Sequence, residues 1–442
     1  MIFISITAFC IAGIILLECL FRNSDFFSPL RLYFFFHSVA LGVAFLALDR
    51  NMTPFYPLTS LVYFGSAACF LSGVLVLNLL VDVKVADLGS RVDFKYYNWK
   101  LHFCFATALL LFFVWGMYAA HHGTGQYPLL AKDKVKAITA FFAVKWSASV
   151  ALCYGGVTLS LFFITLFRPK RFRKIFDPVV WVMIGTALFY SLALSRSGLV
   201  FFAVFAIVFY NHAIRRLSIP KLFLLFVFCA SFIIVTGYLK VNGVQEKYKV
   251  KVKTSKVIQL AMKVPYMYLA NNFWNLDYAL NPENFQERHP TTYGFTALSG
   301  VLDMMALPGG NVGLAIHEAN NFDDQFHKRS IKIHGWNTIG YQWDLYKDFG
   351  IAGVFLGPFF IGMSLGFLYF RIRTRPTIMN AAVYAFLSFF ILGSFGGLFL
   401  ENGSYIYAFF YLCLCCYLSE CISSKPRTPD FTSSSLRTPL KS

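Results

Sequence analysis

The stretch PVVWVMIGTALFYSLALSRSGLVFFAVFAIVFY (Pro178–Tyr210) decides the fold class. Arg196 is the only charged residue in it, and the residues on both sides are mostly apolar. Each flank has about the length that an α-helix needs to cross the hydrocarbon core of a bilayer. A guanidinium at the centre of a bilayer would cost roughly 3 kcal/mol or more. The stretch therefore predicts two membrane spans that meet at a polar turn near the membrane surface.

The whole chain has the composition of a membrane protein. Of its 442 residues, 57% are hydrophobic and only 14% are charged, and a soluble domain could not bury so much apolar surface. The formal net charge is +18, but most Lys and Arg residues lie in short loops between apolar runs, where membrane topology accounts for many of them. No basic helix interleaved with aromatic residues indicates a nucleic-acid partner. The cysteines lie almost entirely within apolar runs and indicate no disulfide framework.

Apolar runs of sufficient length predict an all-α polytopic membrane protein with about eleven transmembrane helices. The runs lie near residues 2–21, 31–48, 58–82, 100–120, 146–167, 178–195, 197–212, 221–239, 350–370, 377–398 and 403–420. Residues 1–239 thus carry the first eight predicted spans, and residues 350–420 carry the last three. Between them, residues 240–349 form one large extracytoplasmic loop. Residues 421–442, rich in Ser, Thr and Pro, are predicted to be a disordered cytoplasmic tail.

Three basic loops predict the orientation of these spans. They are RPKRFRK (168–174), IRRLSIPK (214–221) and RIRTR (371–375), and strict alternation places all of them on one side. Because basic loops favour the cytoplasmic side, we expect the N-terminus outside and the C-terminus in the cytoplasm. The Arg196 turn and the 240–349 loop then face outward.

The first half of the large loop contains IQLAMKVPYMYLANNFWNLDYAL (Ile258–Leu280), which is aromatic and weakly helical. Pro265 predicts a break in this helix. Because Tyr and Trp favour the boundary between lipid and water, the segment is expected to lie on or in the membrane interface.

The turn around Arg196 is the first candidate site. Ser195, Ser197 and Gly198 surround the arginine, and hydroxyl groups and free backbone N–H groups beside a guanidinium form a good anion site. At the outer face of a membrane, such an anion suggests a lipid phosphate or pyrophosphate. The alternative is a structural arginine that extends to the interface from the end of a span.

The second candidate is HGWNTIGYQWDLYKDFGIAGVFLGPFF (334–360), which leads into a predicted span. In a helix, the spacing of Asn337, Tyr341, Asp344 and Asp348 places them on one face. A polar face that continues into a membrane span should point into the protein or a water-filled cleft. Alternatively, Asp348 is only an N-cap or first-turn acid at the start of the span.

The same stretch contains two further signals. Gly350, Gly353 and Gly357 follow one another at spacings of three and four, which predicts close helix packing. His334 precedes the polar face, and a neutral imidazole there could accept a proton from a hydroxyl. The histidines of the large loop form no HxxxH or HExxH pair, so no metal site is predicted. No nucleotide-binding motif occurs, and no cofactor is predicted.

Three stretches together resemble a known family. They are the Ser-Arg-Ser-Gly turn, YLANNFWNLDYAL (Tyr268–Leu280) followed by TTYGFTALSGVLDMM (Thr291–Met305), and NTIGYQWDLYKDFGIAGVFLGPFFIGMSLGFLY (Asn337–Tyr369). With the predicted topology, they resemble the Wzy-type oligosaccharide repeat-unit polymerases of O-antigens, capsules and exopolysaccharides.

The resemblance implies a fold similar to the GT-C glycosyltransferases and a location in the bacterial cytoplasmic (inner) membrane. It implies that oligosaccharide units on undecaprenyl pyrophosphate are joined at the outer leaflet, without a metal ion. It also implies a flippase and a chain-length regulator as membrane partners. Two other functions stay open, a lipid-linked oligosaccharide flippase or transporter and an O-antigen ligase.

The resemblance carries over Arg196, Asn337, Thr338 and Asp348 as motif positions. In such a reaction cations must meet the charge of the leaving pyrophosphate, with Arg196 as first candidate and Arg288 as second. Asp348 and His334 are alternative candidates for the base. The remaining predicted substrate contacts are Ser195, Ser197, Tyr341 and Lys347.

Overall fold

The computed structural model describes residues 2–22, 24–46, 55–81, 92, 94, 97–125, 147–167, 179–187, 196–225, 227, 254–284, 301, 339–393 and 403–422. Within these ranges all regular secondary structure is helical. The helices are α1 (Ile2–Phe21), α2 (Pro29–Ala44), α3 (Pro57–Leu80), α4 (Trp99–Thr124), α5 (Ser147–Phe167), α6 (Arg196–Ala213), α7 (Thr254–Leu280), α8 (Tyr341–Thr374), α9 (Ile378–Gly393) and α10 (Gly403–Cys421). Residues 179–187 and 219–225 are helical as well.

The helices have the length and surface of membrane-spanning segments. In the described part of the chain, α1, α3, α4 and α8 are long and apolar enough to cross a bilayer, and several shorter helices are apolar too. Large apolar side chains lie on their outer surfaces, for example Phe3, Phe112 and Phe360. Apolar residues on the outside of a helix bundle are expected where lipid is the solvent. The prediction of an all-helical chain with several apolar spans is confirmed, while the count of eleven and the likeness to GT-C enzymes stay predictions.

Glycines allow α3 and α8 to pack with their backbones in contact. A Cβ atom on Gly73 would collide with the Phe359 carbonyl oxygen, and one on Gly362 would collide with the Phe70 carbonyl oxygen. Small residues permit this close approach between membrane helices. Farther along both helices, a Cβ atom on Gly366 would lie 3.0 Å from Leu77 Cδ2. The two helices therefore run in the same direction.

Other helix pairs show the alternation that the sequence predicts. The α4 and α5 helices are antiparallel, since His102 Nε2 lies 2.9 Å from the Val157 carbonyl oxygen while Phe113 stacks on Tyr154. The α5 and α6 helices are parallel, since Gly155 meets Phe202 and Phe163 stacks on Phe209.

The ends of α1, α6 and α8 and the start of α2 meet at one end of the bundle. Arg31, for example, pairs with Glu18, and Tyr369 contacts Asp25. The basic segments 214–221 and 371–375 therefore share one end, as expected, while 168–174 lies outside the described residues.

Helix α7 differs from its prediction in two ways. It is continuous from Thr254 to Leu280, so the expected break at Pro265 is wrong. Every side chain from Ala270 to Asp277 is buried, with exposed fractions of 0% to 3%, so this part is covered by other helices and does not lie on the outer surface of the protein. The reason is packing, because Ala270, Phe273 and Trp274 join an apolar cluster with residues of α1, α2 and α3.

Candidate functional site

Helix α8 consists of two parts that fold back on each other. Gly350 separates them, with a non-helical backbone at φ 60° and ψ −146° that favours glycine. A Cβ atom on Gly353 would collide with the Leu345 carbonyl oxygen, and one on Gly357 would lie 2.6 Å from Leu345 Cδ1. In a straight helix these positions would lie about 12 and 18 Å apart along the axis. Residues 341–349, here called the turned-back segment, therefore pack against the start of the long part of α8.

This hairpin explains the glycine spacing. The prediction of close helix packing at Gly353 and Gly357 is confirmed, and the packing partner includes the turned-back segment of the same helix. The boundary predicted between residues 349 and 350 lies at the turn itself.

The polar residues of the turned-back segment face the protein interior. Tyr341, Asp344 and Asp348 have exposed fractions of 2%, 1% and 0%. The predicted inward orientation is therefore confirmed for these three, while Asn337 lies outside the described residues. The alternative interpretation of Asp348 as a cap or first-turn acid of the span stays open, because the long part of α8 begins directly after Gly350.

A buried ion pair lies within the turned-back segment. Lys347 Nζ is 3.6 Å from Asp344 Oδ1, and the two side chains are 0% and 2% exposed. Lys347, predicted as a substrate contact, thus balances the charge of a buried carboxylate. Removal of either member would leave a charge in the interior without this partner.

The turned-back segment reaches deep into the bundle. Gln342 Nε2 donates a hydrogen bond to Ser66 Oγ (3.3 Å), and the Tyr341 hydroxyl lies 3.0 Å from that of Tyr33. Ser66 is about 14 Å along α3 from Pro57, close to the middle of that helix. The N-terminus of the segment therefore lies near mid-depth, while Asp348 is close to the Gly350 turn.

Helix α7 forms a second polar wall beside this segment. Asn271, Asn272 and Asn275 are 0%, 3% and 0% exposed. Asp277 Oδ1 accepts hydrogen bonds from the Tyr56 backbone N–H (2.7 Å) and the Thr59 hydroxyl (2.8 Å). It thereby caps the N-terminus of α3 from a distant part of the chain, where helix N–H groups lack partners within the helix.

A small cavity lies where α3, α7 and the start of α8 meet. Its wall combines amide, phenol and backbone groups with two apolar side chains, from Tyr63, Asn272, Phe273, Leu276, Gly340 and Gln342. Amide and hydroxyl groups can each donate and accept hydrogen bonds. The cavity has a volume of about 10 Å³, which is room for one water molecule, so its wall could meet a single hydroxyl group but not a sugar ring.

A chain of aromatic and polar contacts extends from the cavity into α2. The Tyr63 hydroxyl donates to the His37 carbonyl oxygen (3.3 Å) and lies 3.2 Å from His37 Nδ1. The Tyr33 ring stacks on His37, with a centroid distance of 4.0 Å. His37 and the α7 asparagines were not among the predicted site residues. The sequence does contain a signal for His37, because it is a polar residue inside the apolar run RLYFFFHSVAL.

The other predicted residues are distributed as follows. Arg196 and Ser197 begin helix α6, which packs on α5 and α9, and their side chains lie outside the described part of the structure. Outside the described residues altogether are Ser195, Arg288, His334, Asn337 and Thr338. The expected approach of Arg196 to Asp348 across a cleft therefore stays a prediction.

The described arrangement offers carboxylates, a lysine, amides and phenols. Among the described residues, no group of three His, Cys, Asp or Glu side chains is placed to hold a metal ion. The chemistry available there is hydrogen bonding to hydroxyl groups and proton transfer to a carboxylate.

In comparisons with known proteins, no family model, curated protein or solved structure matches the chain.

Proposed function

We propose that this chain is a membrane glycosyltransferase that joins oligosaccharide repeat units carried on undecaprenyl pyrophosphate. The observation that carries the proposal is the buried polar site of α7 and the turned-back segment, within a bundle of apolar helices. Buried ionisable groups are costly inside a membrane protein and mark functional sites by default. The resemblance of Asn337–Tyr369 to repeat-unit polymerases concerns the same segment.

The amide groups suit the acceptor sugar. Asn272 and Gln342 contribute to the cavity wall, and each amide can donate to one hydroxyl and accept from another. The acceptor would thus be held by groups that carry no charge.

The carboxylate suits the chemical step. In this step the acceptor hydroxyl oxygen forms a bond to the anomeric carbon of the growing chain, and the bond from that carbon to the pyrophosphate oxygen breaks. The electron pair of the broken bond leaves with undecaprenyl pyrophosphate, whose charge Arg196 would stabilise. The hydroxyl proton passes to a base, for which Asp348 and His334 are the candidates.

Substitution of Asp348 tests this role. Asp348→Asn keeps the shape of the side chain but removes the base, so surface polymer should fall by a factor of roughly 10²–10⁴. Asp277→Asn is the matched control, because an amide oxygen can still accept the bonds from Tyr56 and Thr59. The measurement is gel analysis of surface polysaccharide at equal protein levels. Normal polymer in Asp348→Asn cells would remove Asp348 from the mechanism.

A second candidate function is a lipid-linked oligosaccharide flippase or transporter. The depth of the turned-back segment favours it, because half-helices that end near mid-membrane form substrate sites in transporters. Deletion of the gene separates the two functions. Surface lipid capped with single repeat units indicates a polymerase, whereas complete absence of the outer sugars indicates a flippase or a ligase.

A further inference from the structure

A second polar cluster lies at the opposite end of the bundle from the cavity. It is formed by the α1–α2 loop, the end of α6 with the loop that follows it, and the end of α8. Asp25 is at its centre and is only 4% exposed. Its Oδ2 accepts a hydrogen bond from the Tyr369 hydroxyl (2.8 Å) and lies 4.0 Å from His212 Nδ1.

The acids of this cluster already have partners. Asp25 Oδ1 accepts from the Phe27 backbone N–H (3.1 Å) and from Asn211 Nδ2 (3.3 Å). Glu18 binds Arg31 through two nitrogen atoms, at 2.7 and 3.2 Å. Arg31 is therefore neutralised by Glu18 and does not supply free positive charge.

Two further arginines are not neutralised in this way. Arg216 and Arg373 form no ion pair with any carboxylate in the part of the chain that the structure describes. Arg216 Nη2, Arg373 Nε and His212 Nε2 are buried, and within the described ranges they have no hydrogen-bond partner. The His212 side chain itself is only 3% exposed.

Both arginines are close to His212. Both guanidinium groups interact electrostatically with His212. The Arg373 guanidinium lies over the Tyr369 ring at 5.6 Å, and the Tyr369 ring lies 6.0 Å from the His212 ring. Asn211 Oδ1 accepts from the Leu217 backbone N–H (2.9 Å), which holds the loop that carries Arg216 against the cluster.

Burial of unpartnered donors on two cations is unfavourable unless an acceptor meets them, and an anion supplies both the acceptor and the opposite charge. A phosphate group has several acceptor oxygens, and arginine binds such groups with paired N–H donors. Arg216 and Arg373 are each only partly buried, so an anion could approach them from outside. We propose that His212, Arg216 and Arg373 form a binding pocket for a phosphate group.

The residues around the pocket indicate that it binds this phosphate at the bilayer surface. Arg215, Lys221 and Arg371 are exposed at the same end, and the large apolar side chains of Phe21 and Phe223 are exposed beside them. Basic pockets between membrane helices bind anionic lipid headgroups. The phosphate can thus be that of an anionic phospholipid or of a soluble phosphate compound. The pocket is separate from the proposed sugar site and does not depend on it.

The test uses the full chain, purified in a mild neutral detergent. Thermal stability is measured during titration with phosphatidylglycerol, with phosphatidylcholine or with inorganic phosphate. The site variant is Arg216→Gln/Arg373→Gln. The matched control is Arg215→Gln/Arg375→Gln, which removes the same charge from two neighbouring exposed positions.

We expect wild type and control to be stabilised at the same phosphatidylglycerol concentration. The site variant should need at least about tenfold more lipid, because it loses the charged contacts of two arginines. A response to phosphatidylglycerol alone identifies a lipid headgroup, and an equal response to inorganic phosphate identifies a soluble source. If wild type responds to neither, or if the site variant responds like wild type, the pocket does not bind phosphate.

A comparison of absolute stabilities distinguishes binding from packing. Without an anion, the site variant should be at least as stable as wild type, because it lacks the two guanidinium groups that each bury an N–H donor without a partner. With phosphatidylglycerol, wild type should be the more stable protein. Arginines that serve only in packing would make the variant less stable under both conditions, which would overturn the proposal. If the glutamine variant does not accumulate, Arg216→Lys/Arg373→Lys keeps the charge and should still weaken the lipid response severalfold, and an unchanged response would also overturn it.

Discussion

The two ends of the helix bundle hold their ion pairs in different surroundings. At the cavity end, Lys347 and Asp344 are 0% and 2% exposed. At the basic end, Arg31 and Glu18 are 26% and 33% exposed. A buried pair must balance its charge within the protein, whereas a half-exposed pair shares that task with water and ions. The cavity end is therefore electrostatically closed, and the basic end is open to ligands from outside.

The largest expected effect comes from removing one member of the buried ion pair at the cavity end. Lys347→Met leaves the Asp344 carboxylate buried without this cation, which should lower the free energy of unfolding by about 3–5 kcal/mol. Unfolding of the purified protein by a denaturing detergent would measure it. The double variant Lys347→Met/Asp344→Leu removes both charges and should recover most of the loss. A double variant as unstable as the single one would show that the charge pair is not the cause.

The turn that creates the closed end gives the next largest effect. Gly350→Ala forces an alanine into a backbone conformation at φ 60°, ψ −146° and should cost about 1–3 kcal/mol. Gly13→Ala in α1 is a matched control, because a Cβ atom at either position meets nothing within 4 Å. In a helix interior, that change should stabilise by about 0.5–1 kcal/mol. Equal effects of the two changes in the same unfolding assay would show that the backbone conformation at position 350 does not require glycine.

The smallest effect is expected at the open end. Glu18→Gln removes one charge of a half-exposed pair and should cost at most about 1 kcal/mol. The cost should also shrink as salt is raised to about 1 M, because screening acts on exposed charges. Unfolding curves at low and high salt would measure both quantities. A loss as large as that of Lys347→Met would contradict the difference between the two ends.

Much of the helical framework follows from hydropathy. The runs at 2–21 and 58–82 agree closely with α1 and α3, because a helix surrounded by lipid must be apolar along its whole length. The inward position of Tyr341, Asp344 and Asp348 was also predictable. Helical spacing placed them on one face, and a polar face is unfavourable in contact with lipid. These features depend on local sequence and on the solvent alone.

The hairpin of α8 and the burial of α7 depend on contacts between distant residues. Gly350 signals freedom of the backbone, but the sequence does not state that the chain reverses there rather than continuing straight. Asn271 and Asp277 resemble residues of an interfacial helix until α2 and α3 surround them.

The cap that Asp277 provides for α3 has a consequence for biosynthesis. The carboxylate reaches the Thr59 hydroxyl across 218 residues of sequence. At a translation rate of 5–20 residues per second, roughly 10–45 s pass between synthesis of Thr59 and of its partner. During that interval the hydrogen-bond donors at the start of α3 can bind only water or lipid headgroups. The joint between α3 and α7 is thus completed after insertion, and the cavity beside it forms as a late step of assembly.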